Sequence, residues 1–334
     1  MPSPPPSKST GITITASRAG IHLPEADVWL DGHRKCEVSF ITHAHSDHVA
    51  GHVHTVCSPL TAAFLRERYD TKCRITELAW DQPWEHGNHR FLLTPAGHIM
   101  GSAMVHVTRL RDGATLLYTG DFKLRTGLCA EPARPLPAEA LIMECTFGHP
   151  RYQFPEFAAV RESMHTWCHR VLEEGRTPVL LGYSLGKAQE IQALLGGAFP
   201  VAVHSAIAAL NRTCEPLGWP LPPWEEWRAE TPPDRVLVMP PAATRQLKNT
   251  RTALVSGWAM DASARYRYRC EEAFALSDHA DWPDLWRLVE QVQPNIVYTT
   301  HGPSADFASR LRRAGWNAWS LRGGDQMELA LGGA

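Results

Sequence analysis

Residues 42–48, Thr-His-Ala-His-Ser-Asp-His, constrain this chain more than any other segment. They set His43, His45, Asp47 and His48 in the pattern H-x-H-x-D-H, directly after the apolar run 38–41. That run reads as a short strand, so the four side chains sit in the loop at its end. Neutral imidazole and carboxylate are the usual ligands of zinc, manganese or iron. His43 and His45 can face one ion while Asp47 and His48 reach a second. A histidine-rich surface loop would also explain the cluster, since the chain has seventeen histidines and His52 and His54 follow closely. Four ligand-type residues at this spacing after a strand decide against it.

A two-metal site needs ligands from elsewhere, and later strand ends offer them. His98 follows a strand at 91–94, between Gly97 and Gly101, which allow close backbone approach. Asp121 follows a strand at 115–118, beside Gly120, where a carboxylate can bridge two ions. Asp31 ends a strand at 27–30 and can orient a ligand from behind it. Singly, the two aspartates read as turn residues and His98 as a loop histidine. Their succession after strands favours one shared centre.

The 334 residues, 44% of them hydrophobic, suit two domains or one large one. A net charge of −2 gives no overall field attracting nucleic acid, which leaves only a local basic groove or the metals' own charge. Eight scattered cysteines without a C-x-x-C fit buried thiols in a reducing compartment, not a disulfide framework. Residues 1–10 are Pro- and Ser-rich without an apolar core, so they read as a loose tail and not a signal peptide. No apolar run is long enough to cross a membrane, so the cytoplasm is expected.

Short strands and turns dominate residues 12–147, with further strands at 103–107 and 141–143 and a helix at 61–69. Helical spacing of Phe157, Val160, Met164, Trp167, Val171 and Leu172 predicts a helix over 156–174, stopped at Gly175. A strand at 178–181, a glycine-bounded turn and a helix at 187–195 follow; near the end come a strand at 295–300 and a helix at 304–314. Residues 216–241, with Trp219, Trp224 and Trp227, read as extended loops pinned by buried aromatics, or with one tryptophan free to stack on a base. Residues 265–269 alternate arginine and tyrosine, so on a strand Arg265, Arg267 and Arg269 would share one face. That face is either simply solvated or contacts a nucleic-acid backbone.

Residues 182–186 match G-x-S-x-G, and Asp278 and His301 supply an acid and a base in serine-hydrolase order. A serine esterase would leave the histidine motif, His98 and Asp121 without a role. The P-loop spacing fails, and Ala188 stands where Ser or Thr is needed. The turn is read either as a helix cap or as a phosphate contact through its amides, Ser184 and Lys187.

With these motifs in order, the chain resembles the metallo-β-lactamase superfamily, an α/β class whose αββα sandwich presents such loops along one edge. Glu144 in Glu144-Cys145-Thr146-Phe147, His279 in Ser277-Asp278-His279-Ala280-Asp281 and His301 in Thr300-His301-Gly302 are similar to motifs of its β-CASP nuclease branch. The likeness runs from roughly residue 12 to 325. Residues 181–190, 256–258 and 277–282 resemble the bacterial DNA-ligase-associated nucleases, encoded beside a ligase and a helicase. The resemblance implies manganese-dependent cleavage of single-stranded DNA, zinc being the alternative metal, with 5′-phosphate and 3′-hydroxyl products. One departure matters: eukaryotic DNA-repair members of the branch commonly carry valine where this chain has His301, and RNA-processing members carry histidine, so a ribonuclease stays as the alternative.

On this basis residues 1–175 plus 290–334 form the sandwich, and an inserted α/β domain at 176–289 closes over the site. His43, His45, His98 and Asp121 would hold one metal; Asp47, His48, Asp121 and His301 the other. Metals about 3.5–4 Å apart would share and activate a water. His279 would protonate the leaving oxygen, and Glu144 would orient His48 or His279. A small-molecule hydrolase or a non-catalytic DNA scaffold fits the long insert, His279 and the full ligand set less well.

Overall fold

The computed structural model describes residues 11–69 and 72–321. Three sheets organise them. The first has six strands in chain order, Thr15–Ser17, Gly20–Leu23, Val28–Leu30, Val38–Phe40, His54–Cys57 and Arg74–Glu77. The second has seven, in the order Ala318–Ser320, Ile296–Thr300, Ala140–Glu144, Thr115–Tyr118, Ala103–Arg109, His89–Pro95 and Trp84–His86. Its first four strands run parallel and the rest antiparallel.

These two sheets face each other. Leu30, Phe40 and Val56 from one meet Phe91, Val105, Leu116, Ile142 and Tyr298 from the other. Strand alternation sends Leu117, Leu141 and Met143 to the opposite face of the second sheet, where helices cover them. Helix Trp282–Val292 provides part of that cover, with Leu285, Leu288, Val289 and Val292 recurring on one stripe. Each such fully buried aliphatic contributes about 1.5–3 kcal/mol. Asp281 caps this helix by accepting the Asp284 amide at 3.1 Å, and Gln293 ends it in the left-handed region. Neither this helix nor Ser205–Cys214 is among the elements read from the sequence.

The third sheet is wholly parallel, in the order Glu225–Glu226, Val201–Val203, Val236–Met239, Thr177–Leu181, Thr250–Val255 and Glu272–Phe274. Helices Phe157–Glu173, Lys187–Leu195 and Ser205–Cys214 pack against one face around Leu180, Val203 and Val238. The two-sheet sandwich together with this separate parallel unit is the metallo-β-lactamase architecture with a β-CASP insertion.

One of two paired readings is decided and one expectation changes. Trp219, Trp224 and Trp227 each pack, partly buried, against a different apolar cluster, and the Trp224 indole donates to Glu215 Oε1 at 2.7 Å. They are pins. The strand expected at 265–269 is instead a short helix, Ala264–Tyr268, with Arg269 left-handed at its end. Glu272–Phe274, three residues further on, takes the edge position of the parallel sheet instead. On a helix, residues two apart point to different sides, so the arginines do not form one stripe.

Candidate metal centre

The site lies where the ends of the sandwich strands meet the parallel unit. Strand Val38–Phe40 delivers the histidine loop, and a short turn, Ser46–His48, brings His48 back inward. Asp31 fixes this loop. Its buried carboxylate accepts the Thr42 amide (2.8 Å), the Thr42 hydroxyl (2.7 Å), His48 Nδ1 (2.8 Å) and the Tyr118 hydroxyl (2.9 Å). Gly120 allows the Asp121 loop to approach: its φ is +54°, and a Cβ there would lie 2.6 Å from Thr42 Oγ1.

Three imidazole nitrogens converge. His43 Nε2 and His45 Nδ1 are 3.1 Å apart, and His98 Nε2 is 3.2 Å from the same His45 nitrogen. Each ring's other nitrogen has an acceptor: Thr42 Oγ1 for His43 (3.1 Å), the Leu185 carbonyl for His45 (3.1 Å) and the Asp278 carbonyl for His98 (2.8 Å). Thr42 Oγ1 already spends its proton on Asp31, so it can accept from His43. The outward nitrogens therefore carry the hydrogens, and three lone pairs point at one another. Burial, then the neighbouring imidazoles, hold His43 well below the usual histidine range; burial and His279 do the same for His98. Converging neutral lone pairs, beside Asp121 Oδ2 at 3.6 Å from His43 Nε2, repel unless a cation lies between them. The donor set fits a divalent metal.

A second group adjoins it. Ligand atoms of His48, Asp121 and His301 lie within 4.8 Å of one another. His48 Nε2 is 3.3 Å from Asp121 Oδ2, off the line of a hydrogen bond, so it is buried without a hydrogen-bond partner. Burial opposes charge on His48, but Asp121 and Asp31 outweigh it and raise its pKa well above the usual value. His301, at φ +54°, stacks on His48 with ring centres 5.7 Å apart. Asp47 belongs to neither group: its side chain is 75% exposed and its carboxylate stands 3.9 Å from His48 Nε2.

His279 completes the cluster, with its ring 4.5 Å from that of His98. Its Nδ1 donates to Glu144 Oε1 at 2.9 Å, and the same oxygen accepts the Phe122 amide at 3.0 Å. Glu144 thus orients His279, while Asp31 orients His48. Burial disfavours a charged His279, yet Glu144 and Asp121 prevail and push its pKa up to about 10.

The remaining expected residues fare differently. Lys187 is 1% exposed, 3.1 Å from Glu190 Oε2 and 3.6 Å from Asp278 Oδ1, so its charge is spent internally and is not presented to a phosphate. Ser184 is half-buried in the turn before it, its carbonyl accepting the Gln189 amide. Asp278, the acid of the esterase reading, pairs with Lys187, while His301 groups with His48 and Asp121. Arg265, Arg267 and Arg269 are exposed near Tyr266, which is 89% exposed; Arg267 also approaches Asp261 at 3.8 Å. Sequence reading misses the Leu185 and Asp278 carbonyls and the Lys123–Glu190 pair at 2.9 Å. A backbone carbonyl has no side-chain signature, so nothing in the sequence marks it; Thr42, beside the motif, could have been found.

Residues 265–321 match a family model described as a Zn-dependent metallo-hydrolase RNA specificity domain. A protein named "Probable DNA ligase" from Opitutus terrae is 44% identical over 319 residues, 93% of this chain and 31% of its own length. The DNA cross-link repair protein SNM1 of Arabidopsis thaliana is 28% identical over 198 residues, 55% of this chain and 40% of its own length. The chain thus spans about a third of the length of these curated relatives. A crystal structure of an Enterococcus faecalis V583 protein of unknown function shares the fold, with a TM-score of 0.59 and 13% identity over 87% of this chain and 80% of that one. The fold and the likeness to these relatives support a β-CASP member of the metallo-β-lactamase superfamily.

Proposed function

We propose that this chain is a two-metal phosphodiesterase that cuts single-stranded DNA in DNA repair. The observation that carries this reading is the convergence of lone pairs from His43, His45 and His98 beside Asp121, with His48 and His301 adjacent. His43, His45, His98 and Asp121 would hold one ion; His48, Asp121 and His301 the other, with Asp47 joining from the rim. Divalent metal bound there lowers the pKa of water and neutralises phosphate charge. Manganese is the metal we propose, with zinc as the alternative.

His279 is the general acid of this reading. Glu144 and Asp121 keep it protonated through neutral pH, and its side chain is 21% exposed where His43 and His98 are sealed. It can therefore hand a proton to the leaving oxygen; with O3′ as that oxygen, as the family resemblance implies, the products carry a 3′-hydroxyl and a 5′-phosphate. Arg265, Arg267 and Arg269, though not one stripe, leave positive charge on the surface for a backbone. We divide the chain into a sandwich and an insert beginning near residue 176. The packing of helix Trp282–Val292 against sandwich residues supports ending the insert before it instead of at 289.

The relatives named for DNA ligation and DNA cross-link repair support DNA as substrate and a ligase as a partner in the same pathway. Among the described residues no helix is long and apolar enough to cross a membrane, and eight free cysteines, six of them buried, favour the cytoplasm. A specific observation favours RNA instead: the matched "RNA specificity domain" contains both His279 and His301. The test is to incubate the chelated and metal-reloaded protein with end-labelled and circular single-stranded DNA and RNA. Metal-restored cutting of DNA well above RNA is expected; equal or faster cutting of RNA would move the assignment.

A further inference from the structure

The three-histidine pocket is held from two sides. His43 takes its orienting partner, Thr42, from its own loop. His45 and His98 do not. Their outward nitrogens donate to the carbonyls of Leu185 and Asp278, 140 and 180 residues further along the chain. Leu185 lies in the turn that opens helix Lys187–Leu195, and Asp278 in the segment following strand Glu272–Phe274. Both flank the parallel sheet. Without those carbonyls neither imidazole would have a fixed tautomer or ring angle, and outer partners of this kind are worth about 10–100-fold in metal affinity.

Four buried charges hold the two carbonyls in place. Lys187 Nζ lies 3.1 Å from Glu190 Oε2 and 3.6 Å from Asp278 Oδ1, tying the helix to the carbonyl-bearing segment. Lys123 Nζ donates to Glu190 Oε1 at 2.9 Å and to the Ser277 carbonyl at 3.3 Å, tying both to the loop just beyond Asp121. Two cations and two anions balance, and none of the four residues is more than 8% exposed. Desolvation makes such a network a weak source of net stability, so geometric specificity is the better account of it. The fit is close: Gly186, at φ +85°, rests so near the loop that a Cβ would lie 2.1 Å from Ile99 Cγ2, next to His98.

We infer that Lys123, Lys187, Glu190 and Asp278 are positioning residues that set the metal affinity of the three-histidine pocket by docking the parallel-sheet unit onto it. This rests on the metal reading of the site. It also separates the two pockets, because His48 takes its orienting partner from Asp31 within the sandwich. Undocking the parallel unit weakens the first pocket and spares the second.

The test uses the full chain carrying Lys123→Met with Glu190→Gln, which removes the tie across the two units and leaves Lys187 and Asp278 balanced. Zinc is titrated calorimetrically into the chelated wild type and variant, with circular dichroism and melting of the metal-free forms recorded alongside. The expected result is two binding events in the wild type, of which one weakens about 10–100-fold in the variant while the other stays put. Unchanged affinity at both events overturns the inference, and so does equal weakening of both, which marks general destabilisation. A wild type that takes up no divalent metal overturns the metal reading itself, before any variant is compared. If the double variant does not fold, Lys123→Arg, which keeps the charge but not the geometry, replaces it with the same outcomes.

Discussion

The two halves of the metal cluster share Asp121 and differ in how they are built. The His48 half is built within the sandwich. Asp31, seventeen residues earlier, binds His48, and His301 arrives at the end of strand Ile296–Thr300 in the facing sheet. The His43, His45 and His98 half is assembled from afar, with two of its three rings oriented by backbone carbonyls of the parallel unit. Their charge states differ accordingly. His48 faces two carboxylates and favours the proton, whereas His43 and His98, packed mainly among other imidazoles, reject it. His43, His48 and His98 are all buried; what lies opposite each ring decides the sign.

The hardest blow to both halves at once is loss of Asp121. Asp121→Ala removes the carboxylate they share, and phosphodiesterase activity should fall by about 10³-fold or more, as several kcal/mol of transition-state stabilisation would require. Chelation of the wild type should match it, with recovery on adding manganese. Activity surviving in either case would break the common-centre picture. Next, His279→Ala should slow cleavage by about 10²–10⁴-fold. Metal content should stay unchanged, and a p-nitrophenyl phosphodiester, whose leaving group needs no proton, should suffer much less. Loss of a metal would place His279 among the ligands.

A smaller effect sharpens the contrast between the halves. Asp31→Asn should weaken metal binding by about 10–100-fold at the His48 half and less at the three-histidine half, which Asp31 reaches only through Thr42 and His43, measured by the same two-event titration. Greater weakening at the three-histidine half would mean the halves are not separately supported. The gentlest probe is pH applied to the metal-free protein. His43 and His98 have folded pKa values below the unfolded 6.5, so their burial costs stability as pH falls below 6.5. His48 has a raised pKa, so its contribution is fully present below 6.5 and is lost as pH rises through the higher folded value. Ring-nitrogen NMR at pH 7 should find His48 doubly protonated and the other two singly so; identical titration of all three would erase the distinction.

The legibility of the two halves differs in the same way. H-x-H-x-D-H names four candidate ligands by side-chain type alone, and strand-end positions add Asp31, His98 and Asp121. Residues 187–195 are helical as their spacing says, and strands 115–118 and 177–181 fall within a residue of expectation. Arg265 to Arg269 shows the limit: alternation fits a strand, but the segment is a helix and Glu272–Phe274 takes the sheet edge. Lys187 shows it again, since a lysine beside a glycine turn can greet a phosphate or bury itself against Glu190 and Asp278.

By itself the sequence determined the ligand chemistry, because imidazole and carboxylate are properties of residue types, and it determined the strand-end placement, because apolar runs and glycines act locally. Only the tertiary structure decided which nitrogen of each histidine carries its hydrogen, that Glu144 serves His279 and Asp31 serves His48, and that Leu185 and Asp278 complete the first pocket. Hydrogen-bond partners 140 and 180 residues away, made by a backbone that every residue shares, leave no trace in the order of side chains.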